Sequence, residues 1–152
     1  MLLHDVRSLY NVGAFFRTAD AVGLEMLYLT GVTGHPPDRR LSKTALGAET
    51  TIPWTHATDA VDTLDTLRRR GLELAAVETE SPAVDLYDWQ PAFPVCVVFG
   101  HEVTGLQPPL LDRCDVRVRL PMRGVKHSLN VATAGGVVLY ELLRKYRRLH
   151  EI

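Results

Sequence analysis

Cysteine is scarce: only Cys96 and Cys114 occur in 152 residues. They stand far apart with no Cys-x-x-Cys pair, so neither a disulfide framework nor a cysteine metal site is indicated. Both lie in or beside apolar runs, which fits buried free thiols in a reducing compartment. Net charge is also lacking. The 17 Lys and Arg against 18 Asp and Glu leave −1. That excludes a chain-wide polycation, although a local basic patch can still act alone. No window approaches the roughly 18 uninterrupted apolar residues of a membrane span. The start, Met1-Leu2-Leu3-His4-Asp5, has no basic segment followed by an apolar stretch of signal length. Internal repeats, low-complexity tracts and linkers are absent. The expectation is a cytoplasmic protein with one domain over residues 1–152, bound to neither membrane nor metal.

What is present is an alternation of apolar runs with helical stretches. Met1 to Leu3 reads as the stub of a strand. Asn11 to Val22 reads as a helix, with Val12, Phe15, Phe16, Ala19 and Val22 on one apolar face and Gly23 in the stop position. Met26 to Leu29 is the next strand. Gly31 to Gly47, with Gly34, Pro36 and Pro37, reads as irregular. Thr51 to Trp54 is a short strand candidate. Ala57 to Arg70 is a helix stopped by Gly71, and Leu72 to Val77 a strand. Pro94 to Phe99 contains a continuous apolar run, the pattern of a central strand covered on both faces. Pro108 to Asp112 is a short helix, Val116 to Leu120 a strand, and Ser128 to about Leu149 a long final helix. This order predicts an α/β fold with a mainly parallel sheet flanked by helices. The first half of the final helix is apolar almost all round, as expected of a helix buried on several sides. Its basic end, Arg144 to Arg148, is either a solvated face suited to a helix C-terminus or a nucleic-acid contact.

Three loops that follow apolar strands mix glycine with polar residues, and ligands bind at the carboxyl ends of parallel strands. In Asn11 to Ala19, Asn11 reads as a helix cap. Arg17 sits beside apolar neighbours and needs a partner, either a structural carboxylate or a phosphate or ribose. In Gly100 to Leu106, a Gly-x-Glu-x-x-Gly turn lets backbone approach a ligand closely. Glu102 then stands at the strand end, or is simply a solvated turn carboxylate. His101 reads as a bystander. In Leu120 to Ala132, Ser128 and Asn130 suit a helix N-terminus, which also favours an anion. A serine nucleophile would need a positioned base, and no Gly-x-Ser-x-Gly turn is present.

Taken together these loops resemble the three motifs of the SpoU/TrmH branch of the SPOUT RNA methyltransferases. Asn11 to Ala19 is similar to Asn-x-Gly-x-x-x-Arg-Thr-Ala. Gly100 to Leu106 is similar to Gly-x-Glu-x-x-Gly-Leu. Pro121 to Ala134 is similar to Pro-Met-x-Gly-x-x-x-Ser-Leu-Asn-Val-Ala-x-Ala. Lys43 to Glu49 resembles a further stretch common in the branch. The resemblance implies a deep C-terminal trefoil knot, which chain-crossing rules would otherwise exclude. It also implies a homodimer through the knot region and the C-terminal helix. S-adenosylmethionine is the implied cofactor, held by Thr79, Gly100, Leu120, Met122 and Leu129, largely through backbone. Many members carry an extra N-terminal RNA-binding domain, and a chain of 152 residues is expected to do without a separate one.

The implied reaction is methylation of a ribose 2′-hydroxyl in RNA. The implied catalytic group is Arg17, with Asn11, Glu102, Ser128 and Asn130 around it. A guanidinium is a poor proton acceptor, so Arg17 is expected to stabilise a developing alkoxide rather than to act as base. RNA phosphates are expected at Arg7, Arg39, Arg40, Lys43, Arg123 and Lys126. Transfer RNA is the expected substrate, and ribosomal RNA the alternative. A catalytically silent RNA-binding paralogue should have lost Arg17 or the Gly-x-Glu turn, and this chain keeps both.

Overall fold

The computed structural model describes residues 1–152. In chain order it runs β1 (Leu2–His4), α1 (Leu9–Val22), β2 (Leu27–Thr30), α2 (Arg39–Ala45), a 3-10 turn (Ala48–Thr50), β3 (Trp54–Ala57) and α3 (Ala60–Arg69). It continues β4 (Glu73–Val77), β5 (Val84–Asp85), β6 (Val95–Phe99), α4 (Pro108–Leu111), β7 (Val116–Arg119) and α5 (Val131–His150). The seven strands form one sheet in the order β3-β2-β1-β6-β4-β7-β5. Every pairing in it is parallel.

The pleat of the sheet divides the core. Along β6, Cys96 and Val98 point to one face and Val97 and Phe99 to the other. The larger cluster, 22 buried residues, lies under α1, α2 and α5, and the smaller, 10 residues, under α3 and α4. A strand buried on both faces has no polar position to alternate with, which is why β6 is apolar throughout. Phe15 of α1 is fully buried and packs on Phe99 with ring centroids 5.2 Å apart. Gly135 of α5 closes over the same ring, and any Cβ there would strike it.

Several element boundaries differ from expectation. Helix α1 begins at Leu9, and Ser8 is its cap, accepting the Asn11 backbone N–H at 3.2 Å. Asn11 is therefore not the cap, and its side chain is free for another task. Residues 39–45, expected to be irregular, form α2 because Asp38 accepts the backbone N–H groups of Arg40 and Leu41. Strand β3 starts at Trp54 rather than ending there. Helix α3 starts at Ala60, where Asp59 caps it by accepting the Asp62 N–H at 3.0 Å. The two-residue β5 is an added edge strand. Helix α5 starts at Val131, and Asn130 caps it by accepting from Ala132 and Thr133 at 2.9 and 3.1 Å. Ser128 is left outside the helix.

Candidate active site

A cleft of about 300 Å³ opens at the carboxyl ends of β4, β6 and β7 and runs under the start of α5. Its walls are the turns that leave those strands. Thr79 follows β4, Gly100 follows β6, Leu120 and Met122 follow β7, and Leu129 precedes α5. All five expected cofactor contacts thus line one cavity. Glu102 and Ser128 line it as well. Asn11, Arg17 and Asn130 do not.

The turn after β6 explains its glycine spacing. A Cβ on Gly100 would lie 2.5 Å from the Gly105 carbonyl carbon and 2.7 Å from the Leu106 nitrogen. Gly105 has φ of +65°, a left-handed conformation in which glycine is favoured. The loop closes on itself as the Gly105 N–H donates to the His101 carbonyl at 2.9 Å. His101 Nδ1 accepts the N–H groups of Val103 and Thr104, both at 3.1 Å. This histidine holds the turn, and its Nδ1 is occupied in doing so.

Glu102 reaches away from its own loop to the entry of α1. Its carboxylate accepts the backbone N–H of Ser8 at 3.0 Å and of Arg7 at 3.2 Å. Burial works against its ionisation, but the N–H groups of Ser8, Glu102 itself and Arg7, with the Asn11 carboxamide beside them, outweigh it. The carboxyl is held below its ordinary value. Asn130 completes the link from the other side, donating its side-chain N–H to Asn11 Oδ1 at 3.2 Å. The first and third motif loops therefore meet through two carboxamides, and the first and second through Glu102.

Sequence reasoning missed Glu78. It lines the cleft, its backbone N–H donates to the Val118 carbonyl at 2.9 Å, and its carboxylate accepts the Leu106 N–H at 2.8 Å. It staples the ends of β4, β6 and β7 together. The available signal was a carboxylate directly after the apolar run Ala75-Ala76-Val77, at the carboxyl end of a strand.

Arg17 is exposed on α1 and forms no ion pair or side-chain hydrogen bond within the chain. The structural carboxylate considered for it does not exist in this protomer. Arg7, Arg39, Arg40, Lys43, Arg123 and Lys126 are all exposed, and only Arg40 has an ion-pair partner, Asp38 at 3.4 Å. The basic end of α5 is neither wholly solvated nor wholly free. Arg144 is bound to Glu141 at 2.7 Å, and Lys145 donates to the carbonyls of Leu86 and Trp89. Cys96 is buried, and burial with the nearby Cys96 and Asp115 pushes the Cys114 thiol up to about 12. No three His, Cys, Asp or Glu side chains converge as a metal site.

Fold and cleft together define a parallel α/β domain that builds a small-molecule site from turns at the carboxyl ends of its strands. Residues 1–140 match the model of the SpoU rRNA Methylase family, and the chain belongs to that family. The 23S rRNA (guanosine-2'-O-)-methyltransferase RlmB of Pseudomonas syringae pv. tomato is 35% identical over 145 residues, covering 95% of this chain and 58% of RlmB. The SpoU methyltransferase AviRb from Streptomyces viridochromogenes, solved in complex with the cofactor AdoMet, superimposes with a TM-score of 0.85 at 27% identity. That match covers 95% of this chain and 56% of AviRb. A structure solved for the 2-OH methylation of C/U34 on tRNA superimposes with a TM-score of 0.83 at 26% identity, covering 99% of this chain and 95% of the other. The chain spans less than two thirds of the length of the first curated relatives it matches.

Proposed function

We propose that this chain is an S-adenosylmethionine-dependent RNA methyltransferase that acts on a ribose 2′-hydroxyl. The observation that carries the reading is convergence: Thr79, Gly100, Leu120, Met122 and Leu129, far apart in sequence, line one cleft with Glu102 and Ser128. The cleft suits the cofactor in three respects. Its volume, about 300 Å³, falls in the small-molecule range. Close backbone packing at Gly100 leaves main-chain groups to meet an adenosine. The lining holds three carboxylates, Glu78, Glu80 and Glu102, and one guanidinium, Arg117, a balance that favours a cationic ligand.

When bound, S-adenosylmethionine supplies an electrophilic methyl group that a ribose oxygen must approach in line, at about 3–3.5 Å. Glu102 and Glu78 hold the Gly100–Leu106 turn at the cleft. Asn11 and Asn130 hold the start of α1 against the start of α5. Ser128, outside the helix and on the cleft wall, is placed to hydrogen-bond ligand. The Arg17 guanidinium stabilises the oxygen as it loses its proton and pins a neighbouring phosphate. It keeps its own proton throughout, so the proton leaves to an RNA phosphate or to water.

Arg17 lies outside its own protomer's cleft, so this mechanism is that of a homodimer in which the guanidinium serves the cleft of a second copy. Exposed apolar side chains on the third motif loop and on α1 support this arrangement, with Leu129 42% exposed. Val125 there is 90% exposed, and Tyr10 of α1 is 48% exposed. We further propose that the C-terminal segment threads a trefoil knot, which the insertion of β7 between β4 and the earlier β5 supports. Residues 1–152 form one methyltransferase domain acting in the cytoplasm, and transfer RNA is its substrate. The near-complete coverage of the structure concerned with C/U34 of tRNA favours that choice. Ribosomal RNA is the second reading, favoured by the 35% identity to RlmB.

Arg17→Ala tests the assignment. Removing one stabiliser of a developing oxyanion costs about 10²–10³ in turnover, and cofactor affinity should stay unchanged. Near-normal turnover would overturn the role of Arg17. Sedimentation as a 16.9 kDa monomer under assay conditions would remove the shared site.

A further inference from the structure

We infer that His35, Trp54 and His56 form a shelf on which a base of the substrate RNA stacks, a few nucleotides from the one being methylated. The inference rests on the RNA methyltransferase reading and adds to it a contact outside the cleft. Trp54 and His56 stand two residues apart on the edge strand β3, so they share a face of the sheet. Their register partners on β2 are Leu27 and Leu29, which belong to the core layer under α1 and α2. His35, from the loop after β2, lies over both. Its ring stacks on Trp54 at 5.5 Å with planes 22° apart and meets His56 at 4.8 Å.

The cluster has the make-up of a base-binding platform. Trp54 is half-buried and supplies a fixed floor, while His35 is exposed and its ring is held in place, Nδ1 lying 2.8 Å from the Pro36 carbonyl. Nucleic-acid-binding proteins use aromatic and imidazole rings for unstacked bases, with cations alongside for the backbone. The cations are present. Arg39, Arg40 and Lys43 are exposed on α2, which follows His35 by a few residues and covers the same face. Only Arg40 is paired, and its exposed pairing with Asp38 at 3.4 Å is weak. The shelf also lies on a usable path. β3 is three strands from β6 in the sheet order. That is about 14 Å at the usual strand spacing, or about four stacked nucleotides.

Tryptophan emission reads this contact directly. Trp54 and Trp89 are the only tryptophans. Trp89 is 4% exposed beneath Lys145, so a quench caused by RNA reports on Trp54. Wild type, His35→Ala and His35→Tyr are titrated with unfractionated cellular RNA, following emission and filter retention, and S-adenosylmethionine affinity is measured for each. RNA should quench the wild type with the midpoint of filter retention. His35→Ala should raise that midpoint about fivefold or more, and His35→Tyr should return it to within about twofold, in line with the contribution of a stacked base. Cofactor affinity should be the same in all three. Retention of RNA with unchanged emission, or wild-type retention by His35→Ala, would overturn the shelf and leave the methyltransferase reading standing. Failure of the wild type to retain any RNA would bring down that reading first, and the shelf with it.

Discussion

Replacing Glu102 by Gln removes a charge and keeps the shape, and its effect can be worked from the contacts. The carboxylate accepts two backbone N–H groups, from Ser8 at 3.0 Å and Arg7 at 3.2 Å. A carboxamide can accept one of them, but its NH₂ then faces the other donor. A hydrogen bond to a charged group contributes about 1.5–3 kcal/mol when protected from water. Glu102 is exposed, so the loss should be about 1 kcal/mol after screening. For a chain of this length that lowers Tm by about 3 °C. The pH dependence has a definite sign. Glu102 has its folded value depressed below the ordinary 4.5. Its stabilisation is therefore complete above that value and is lost as pH falls through the lower, folded one. Urea unfolding of wild type and Glu102→Gln should show a constant gap from pH 7 to about 5.5, shrinking toward pH 3.5. A gap that is absent at pH 7, or that stays full at pH 3.5, would refute the role given to the carboxylate.

Asn130 caps α5 and also donates to Asn11. Asn130→Ala should cost about 1 kcal/mol or slightly more in thermal unfolding. Asn130→Asp retains a capping oxygen but replaces the donor with a charged oxygen facing Asn11 Oδ1, so the cap should recover while methyl transfer stays impaired. Gly135→Ala and Gly136→Ala form a contrasting pair. Alanine is favoured in a helix by about 1 kcal/mol. A Cβ at Gly136 meets nothing in the chain, so that variant should unfold at a higher temperature. A Cβ at Gly135 would lie 2.9 Å from Phe15 Cζ and closer still to its neighbour, with Phe99 blocking retreat of the ring. Overpacking then outweighs propensity, for a net loss of about 1 kcal/mol.

The central sheet and the cleft loops could be read from the chain because each has a local cause. β6 is apolar throughout because both its faces are covered. The Gly100 and Gly105 spacing reflects a loop that packs on its own backbone, and Asn130 caps a helix as its position indicated. The unread parts depend on contacts that no short window contains. Helix α2 follows a Pro-rich stretch and buries only Leu41 and Ala45, too few for a periodic signal. β5 has two residues and exists only because β7 passes beside it. Asn11 has the residue type of a cap, but Ser8, three residues earlier, is the one that accepts its N–H. Once Ser8 takes that role, the carboxamide is free to meet Asn130 at the far end of the chain. Glu78 carries no motif, and its importance arises from three strand ends meeting at its backbone and carboxylate. The loops that form the cleft were legible one by one, whereas the exposed position of Arg17 was not, since burial of a helix face is set by tertiary packing.

The most direct test of the account is incubation of the protein with labelled S-adenosylmethionine and unfractionated cellular RNA, followed by digestion to nucleosides. Label is expected in a 2′-O-methylated nucleoside and in no base. Label carried on a base, or no transfer to any RNA by a chain that binds the cofactor, would contradict it.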